Sequence, residues 1–300
     1  MTTISVFDKQ TVLPDDTLLN RSRSLLGFDV RYQRVSKQLN LLLHLDDLRR
    51  WSQDRHGQIL PICTYVDDQY PLVIFHGDVG TGKTVTAEGV ANQLITDDSH
   101  ADDSVLYKLS TRVRGAGRVG EMGSLINQAF DEVVQSVKRR RAILIIDEGD
   151  SLAAARTQEH SHHEDKVAVN TLIQRIDELK RYKGRVLVIL CTNRLSALDP
   201  AIVRRAAVVE IFQRPTAEER YDLFSQDLKG IGLSEDDLVA LVEATGQDGQ
   251  GRAPWTYSDI RSRLYPAALA QAYPESPLTV NHLLAAARLL QSSPVLEDLA

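Results

Sequence analysis

A chain of 300 residues is long enough for one large domain or two modest ones, and 43% hydrophobic with 25% charged residues excludes global disorder. The net charge of −6, from 35 basic and 41 acidic residues, argues against a general nucleic-acid binder, which would carry a basic surplus. Two distant cysteines, Cys63 and Cys191, exclude a disulfide framework and point to a reducing compartment.

The start, MTTISVFDKQ, has no apolar signal core, and no apolar run is long enough to span a bilayer, so a cytoplasmic protein without membrane contact is expected. Residues 1–24 are polar and weakly patterned and are expected to form a flexible N-terminal arm. A helix is predicted near 36–55, with Leu41, Leu45 and Leu48 on one face, and Gly57 and Pro61 punctuate the chain after it. PLVIFHG (71–77) reads as a buried strand. Over 83–95, Ala87, Val90, Ala91, Leu94 and Ile95 recur at helical spacing. SVLYKL (104–109) suits a short strand, 112–123 a glycine-rich basic loop, and 124–138 a helix. RAILIID (141–147) and RVLVILCTN (185–193) are further buried strands, with a helix marked by Val169, Leu172, Ile173 and Ile176 between them. Apolar strands alternating with helices predict an α/β parallel sheet covered on both faces. Beyond Pro215 the pattern is helical near 216–229, 234–245, 258–273 and 279–292, with no strand signal. The expected organisation is an α/β domain over 25–214 and a small all-α lid over 215–300.

GDVGTGKT (77–84) has the spacing G-x-x-x-x-G-K-[ST] between a predicted strand and a predicted helix. Gly77 and Gly82, with Asp78, Val79, Gly80 and Thr81 between them, let the backbone wrap so that its N–H groups face phosphate oxygens. The positive end of the following helix adds to the cradle. Lys83 supplies a point charge to the β- and γ-phosphates, and Thr84 a hydroxyl for Mg²⁺. ILIIDE (143–148) supplies the second element: Asp147, at a strand's C-terminal end, holds the magnesium, and Glu148 orients and activates the attacking water. With both acids intact, the expected activity is hydrolysis of ATP with Mg²⁺.

The third buried strand ends in Thr192-Asn193, and ALDPAIVRR follows at 197–205. With the two motifs above, this resembles the second region of homology of AAA+ ATPases. The resemblance implies that Asn193 is a sensor that positions the attacking water. It also implies that Arg204 or Arg205, with Arg205 favoured, reaches the nucleotide of a neighbouring subunit in a homo-hexameric ring. A finger of that kind is worth roughly 10³–10⁵ in rate in GTPases. IIDEGDSLAAART (145–157), VAVNTLIQRIDELKR (167–181) and LLGFDV (25–30) are similar to the pachytene-checkpoint type of AAA+ remodelers, which act on HORMA-domain proteins. The short lead before the core is similar to the compact bacterial form of that type. This implies an ATP-dependent unfoldase that opens a HORMA-like partner, in company with a nucleotidyltransferase, and disassembles an activated antiviral cyclic-oligonucleotide synthase complex. By the same resemblance, Arg118, Val119 and Gly120 fall in the substrate-gripping pore loop, which here lacks the family's aromatic residue. Arg261 and Arg263 are both open as the lid's second sensor.

Other features read more plainly. His160, His162 and His163 invite a metal reading, but no further ligands are evident on the next helix, and the segment fits a loop. KRRR (138–141) suits a helix C-terminus. Trp51 and Trp255 are expected to be packing residues. Two other functions compete: a nucleic-acid motor or loader, which the acidic balance disfavours, and an ATP-gated scaffold.

Overall fold

A computed structural model describes residues 5–98, 104–110, 121–137, 140–153, 163–247 and 251–295. The chain divides into two compact units: Met1–His76 with Thr84–Ile211, and Gly77–Lys83 with Phe212–Ala300. Up to that division it runs β1 (Phe7–Leu13), α1 (Asp16–Arg23), α2 (Phe28–Leu43), α3 (Leu45–His56), α4 (Ile62–Asp67), β2 (Leu72–Gly77), α5 (Lys83–Thr96), β3 (Ser104–Leu109), α6 (Glu121–Ser136), β4 (Ala142–Ile146), α7 (Gly149–Leu152), α8 (His163–Leu179), β5 (Val186–Thr192), α9 (Pro200–Val203) and β6 (Val208–Phe212).

The sheet has the order β1-β3-β4-β5-β2-β6. β3, β4, β5 and β2 are parallel neighbours, and β1 joins β3 antiparallel. Every residue of β4 and β5 is buried, as strands covered on both faces require. α6 and α8 supply much of one cover: Ile126, Ala129, Phe130 and Val133 form one buried cluster with Val169, Leu172, Ile176 and Leu179 and with the sheet residues Leu144 and Val188. Burying a side chain such as Phe130 contributes about 1.5–3 kcal/mol. The registers Ile146↔Leu190 and His76↔Thr192 bring the C-terminal ends of β4, β5 and β2 to one edge of the sheet, where ligands bind in open α/β folds.

The expected flexible arm over 1–24 is corrected for residues 7–23. Phe7–Leu13 is a sheet strand paired with Ser104–Leu109. Asp15 caps α1 by accepting from the Leu18 amide at 2.8 Å. Asn92 anchors the turn between them, its Oδ1 accepting from the Asp15 amide at 2.7 Å and its Nδ2 donating to the Asp15 carbonyl at 3.1 Å. The single helix expected near 36–55 is two, broken at His44 (φ −126°, ψ 49°). Trp255 is buried, but Trp51 is 49% exposed and packs in a T-shaped pair with His56, 5.3 Å between ring centroids.

The second unit contains α10 (Ala217–Asp227), α11 (Glu235–Ala244), α12 (Tyr257–Asp259), a π turn at Ile260–Leu264, α13 (Tyr265–Ala272) and α14 (Val280–Leu289). Three of the helices start with reciprocal caps, Thr216/Glu219, Ser234/Asp237 and Thr256/Asp259. Each satisfies two otherwise unpaired main-chain donors. The units part at Ile211/Phe212, whereas the sequence suggested 214/215, and Gly77–Lys83 groups with the helical unit. The reason is local bonding: the Ser258 amide donates to the Gly80 carbonyl at 3.2 Å, and Arg214 pairs with Asp78.

Candidate nucleotide site

In the first unit, a polar cluster lies at the end of β4. Thr84 Oγ1 stands 3.0 Å from Oδ1 and 2.9 Å from Oδ2 of Asp147. The Glu148 amide donates to Asp147 Oδ1 at 3.0 Å. Glu148 adopts a left-handed backbone (φ 52°, ψ 47°), unusual for a residue with a Cβ. The chain can turn this sharply because Gly149 follows: a Cβ there would lie 2.4 Å from Leu190 Cδ2. Strain of this kind, of order 1–3 kcal/mol, collects at functional sites, and here it leaves the Glu148 side chain exposed. On the adjacent β5, Thr192 Oγ1 donates to Asp150 Oδ1 at 3.1 Å and accepts from the Arg194 amide at 3.2 Å. These bonds fix the strand end from which half-buried Asn193 projects. Lys108 Nζ, from β3, lies 3.6 Å from Asp147 Oδ2 and 3.5 Å from Glu88 Oε1. The second oxygen of Glu88 accepts from Arg21 at 3.0 Å.

The second unit holds the glycine loop. Gly77, Gly80 and Gly82 take φ of 142°, 76° and 90°. A Cβ would lie 2.1 Å from the Phe212 carbonyl oxygen at Gly77 and 2.7 Å from Thr256 Oγ1 at Gly80, so only glycine fits. Lys83 Nζ donates to the carbonyls of Gly77 at 3.0 Å and Asp78 at 2.8 Å, and Thr81 Oγ1 to that of Asp78 at 2.7 Å. Val79 is 47% exposed. The groups fit the substrate and metal. Glycine turns and a buried ammonium make a phosphate cradle. A hydroxyl and a carboxylate sharing one spot are the hard oxygen donors that Mg²⁺ takes alongside phosphate oxygens.

Arg205 and Arg204 leave α9 differently. Arg205 binds Asp177 through Nε (2.5 Å) and Nη2 (2.9 Å), donates to the Ala201 carbonyl at 2.8 Å and lies over the Tyr70 ring. Donating these hydrogen bonds to the Asp177 carboxylate raises its pKa further. Arg204 is exposed. In the second unit Arg261 is paired with Asp227 at 2.7 Å and Arg263 with Asp259 at 3.1 Å. Arg118, Val119, Gly120, His160 and His162 lie outside the described residues, as does the side chain of His163. Among the described residues no helix is long and apolar enough to cross a membrane. Sequence reasoning missed Lys108, Glu88, Arg214 and Asp259. Of these only Asp259 carried a local signal, the helix-start pattern Thr256-x-x-Asp259.

A mostly parallel sheet bearing a glycine loop, an Asp-Glu strand end and a helical unit after it defines an AAA ATPase. A family model described as "ATPase family associated with various cellular activities (AAA)" matches residues 73–214. CD-NTase-associated protein 6 of Escherichia coli (strain KTE188) is 57% identical over 300 residues, covering 100% of both chains. A chain in the solved structure of the E. coli MS115-1 HORMA:CdnC:Trip13 complex superposes with a TM-score of 0.89 at 35% identity, covering 97% of each chain. The putative pachytene checkpoint protein 2 of Caenorhabditis elegans is 30% identical over 177 residues, 56% of this chain and 42% of that one. The chain belongs to the family of CD-NTase-associated protein 6, the Trip13-like AAA ATPases.

Proposed function

We propose that the chain is a ring-forming, ATP-driven remodeler that opens a HORMA-like partner protein and so disassembles an activated antiviral complex containing a cyclic-oligonucleotide synthase. The observation that carries this reading is the site at the end of β4, Thr84 on both oxygens of Asp147 with strained Glu148 beside them, in a chain that superposes along almost its whole length on one from a HORMA:CdnC:Trip13 complex.

The residues divide the work. Main-chain amides of Gly77–Lys83 bind the triphosphate, and Lys83 exchanges its loop carbonyls for β- and γ-phosphate oxygens. Thr84 and Asp147 hold the magnesium. When bound, the metal neutralises charge that develops on the phosphates. Glu148 takes a proton from the attacking water, with Asn193 orienting it, and ADP and phosphate are the products. A trans arginine from α9 completes the site in a homo-hexamer. The lid arginines Arg261 and Arg263 remain second-sensor candidates, and Arg118, Val119 and Gly120 pore-loop candidates. Neither buried cysteine is in a disulfide, in keeping with a cytoplasmic setting.

The test uses Glu148→Gln and Lys83→Ala. With ATP and Mg²⁺, the Glu148→Gln protein should lose turnover by at least about a hundredfold yet retain a HORMA-like partner in pull-down. Lys83→Ala should lose nucleotide binding and the partner together. Partner release on ATP binding alone, with Glu148→Gln as effective as the parent, would replace the motor with a scaffold.

A further inference from the structure

Asp78 places a carboxylate inside a loop whose task is to receive a triphosphate. Its side chain is 1% exposed. Oδ1 accepts from the Val79 amide at 3.0 Å, a main-chain donor of the same loop. Left alone, this carboxylate would repel phosphate and compete with it for a loop amide. Arg214, just after β6 and 9% exposed, offsets it. Its Nε donates to Asp78 Oδ2. Nη1 donates to the Pro254 carbonyl at 2.7 Å, and Nη2 to the carbonyls of Ser293 at 2.8 Å and Pro294 at 2.9 Å. One planar fork thereby holds four acceptors from three stretches of chain, all in the loop's own unit. A lysine ammonium could supply the charge but not the fan of directions. Asp259 grips the same C-terminal stretch, accepting from the Ser293 hydroxyl at 2.6 Å and the Ser293 amide at 3.1 Å.

We propose that Arg214 is a positioning residue of the phosphate loop: it neutralises Asp78 and ties the loop to the C-terminal segment at Ser293–Pro294, coupling nucleotide affinity to the docking of that segment. The inference rests on the reading that Gly77–Lys83 binds ATP. Coupling of this kind is reciprocal, so nucleotide must tighten the segment by the same factor that the segment tightens nucleotide.

Equilibrium titration with a fluorescent ATP analogue and Mg²⁺, together with amide exchange at Ser293, tests it on the full chain. The parent should bind, and its Ser293 exchange should slow on binding. Arg214→Met should bind at least about tenfold more weakly and show no such slowing. Adding Asp78→Asn to Arg214→Met should recover most of the affinity, because the uncompensated charge is gone, while the exchange response stays lost. Arg214→Lys, which keeps the charge if Arg214→Met does not fold, should bind closer to the parent but lose the exchange response. A folded Arg214→Met that binds as the parent does, a double variant no better than Arg214→Met, or an Arg214→Lys with full exchange response each overturns the inference alone. A parent that does not bind nucleotide overturns the ATP reading and this inference with it.

Discussion

Glu148 owes its place to a glycine. With φ at 52° its backbone is left-handed, and the next residue lies too close to Leu190 and to the Cys191 carbonyl to bear a side chain. Gly149→Ala should therefore cost about 1–3 kcal/mol through overpacking, read as a lower midpoint in denaturant titration. It should also lower kcat by moving the Glu148 carboxylate off its line, with nucleotide affinity nearly unchanged. An unchanged kcat would mean that the turn does not aim Glu148. Asp259 makes a second residue-scale case. Burial opposes its charge, but hydrogen bonds from the Ser293 hydroxyl and from the Thr256 and Ser293 amides outweigh burial and hold its pKa below the usual range. A depressed carboxylate pKa contributes stability that is present above the unfolded value of about 3.9 and is lost as pH falls through the folded value. Asp259→Asn should thus melt earlier than the parent at neutral pH, and the gap should close below about pH 4. A gap independent of pH would assign the effect to packing.

At the scale of elements, β1 separates a sheet strand from a loose arm. Leu13 is 0% exposed and Val12 57%. Leu13→Ala should cost about 2–5 kcal/mol, while Val12→Ala should stay within about 0.5 kcal/mol. Equal and small effects in thermal or denaturant melts would restore the arm. Sequence patterns revealed the central strands because β4 and β5 are apolar throughout. β1 and β6 escaped because edge strands keep one side in water: FDKQTVL buries only its two ends, and VVEIF likewise. α4, six residues long, is too short to display a helical period. The glycine loop and the Asp-Glu strand end were legible because each is a contiguous run whose chemistry demands its spacing. Arg214 and Asp78 are 136 positions apart, and Lys108 meets Asp147 only because β3 and β4 are parallel neighbours. No local pattern announces a partner supplied by topology.

At the scale of the whole molecule, the site draws on a second copy if α9 provides its arginine in trans. In the protomer Arg205 is held by Asp177 through Nε and Nη2 and is only 12% exposed, so reaching a neighbour means exchanging that carboxylate for a phosphate. The pair with Asp177 is partly exposed on the acid's side, 39%, and such pairs are worth little in water. The exchange therefore lies within the reach of a nucleotide's charge. Arg205→Ala should lose turnover by about 10³-fold or more while binding nucleotide as tightly as the parent. Mixing it with Lys83→Ala should restore part of the turnover, because each ring then contains interfaces where an intact loop faces an intact arginine. Asp177→Asn should remain active, since it frees the guanidinium. No recovery on mixing, together with an Asp177→Asn as inactive as Arg205→Ala, would make Arg205 a structural partner of Asp177. Recovery seen only with Arg204→Ala would move the trans role one residue along, to the side chain that already faces solvent.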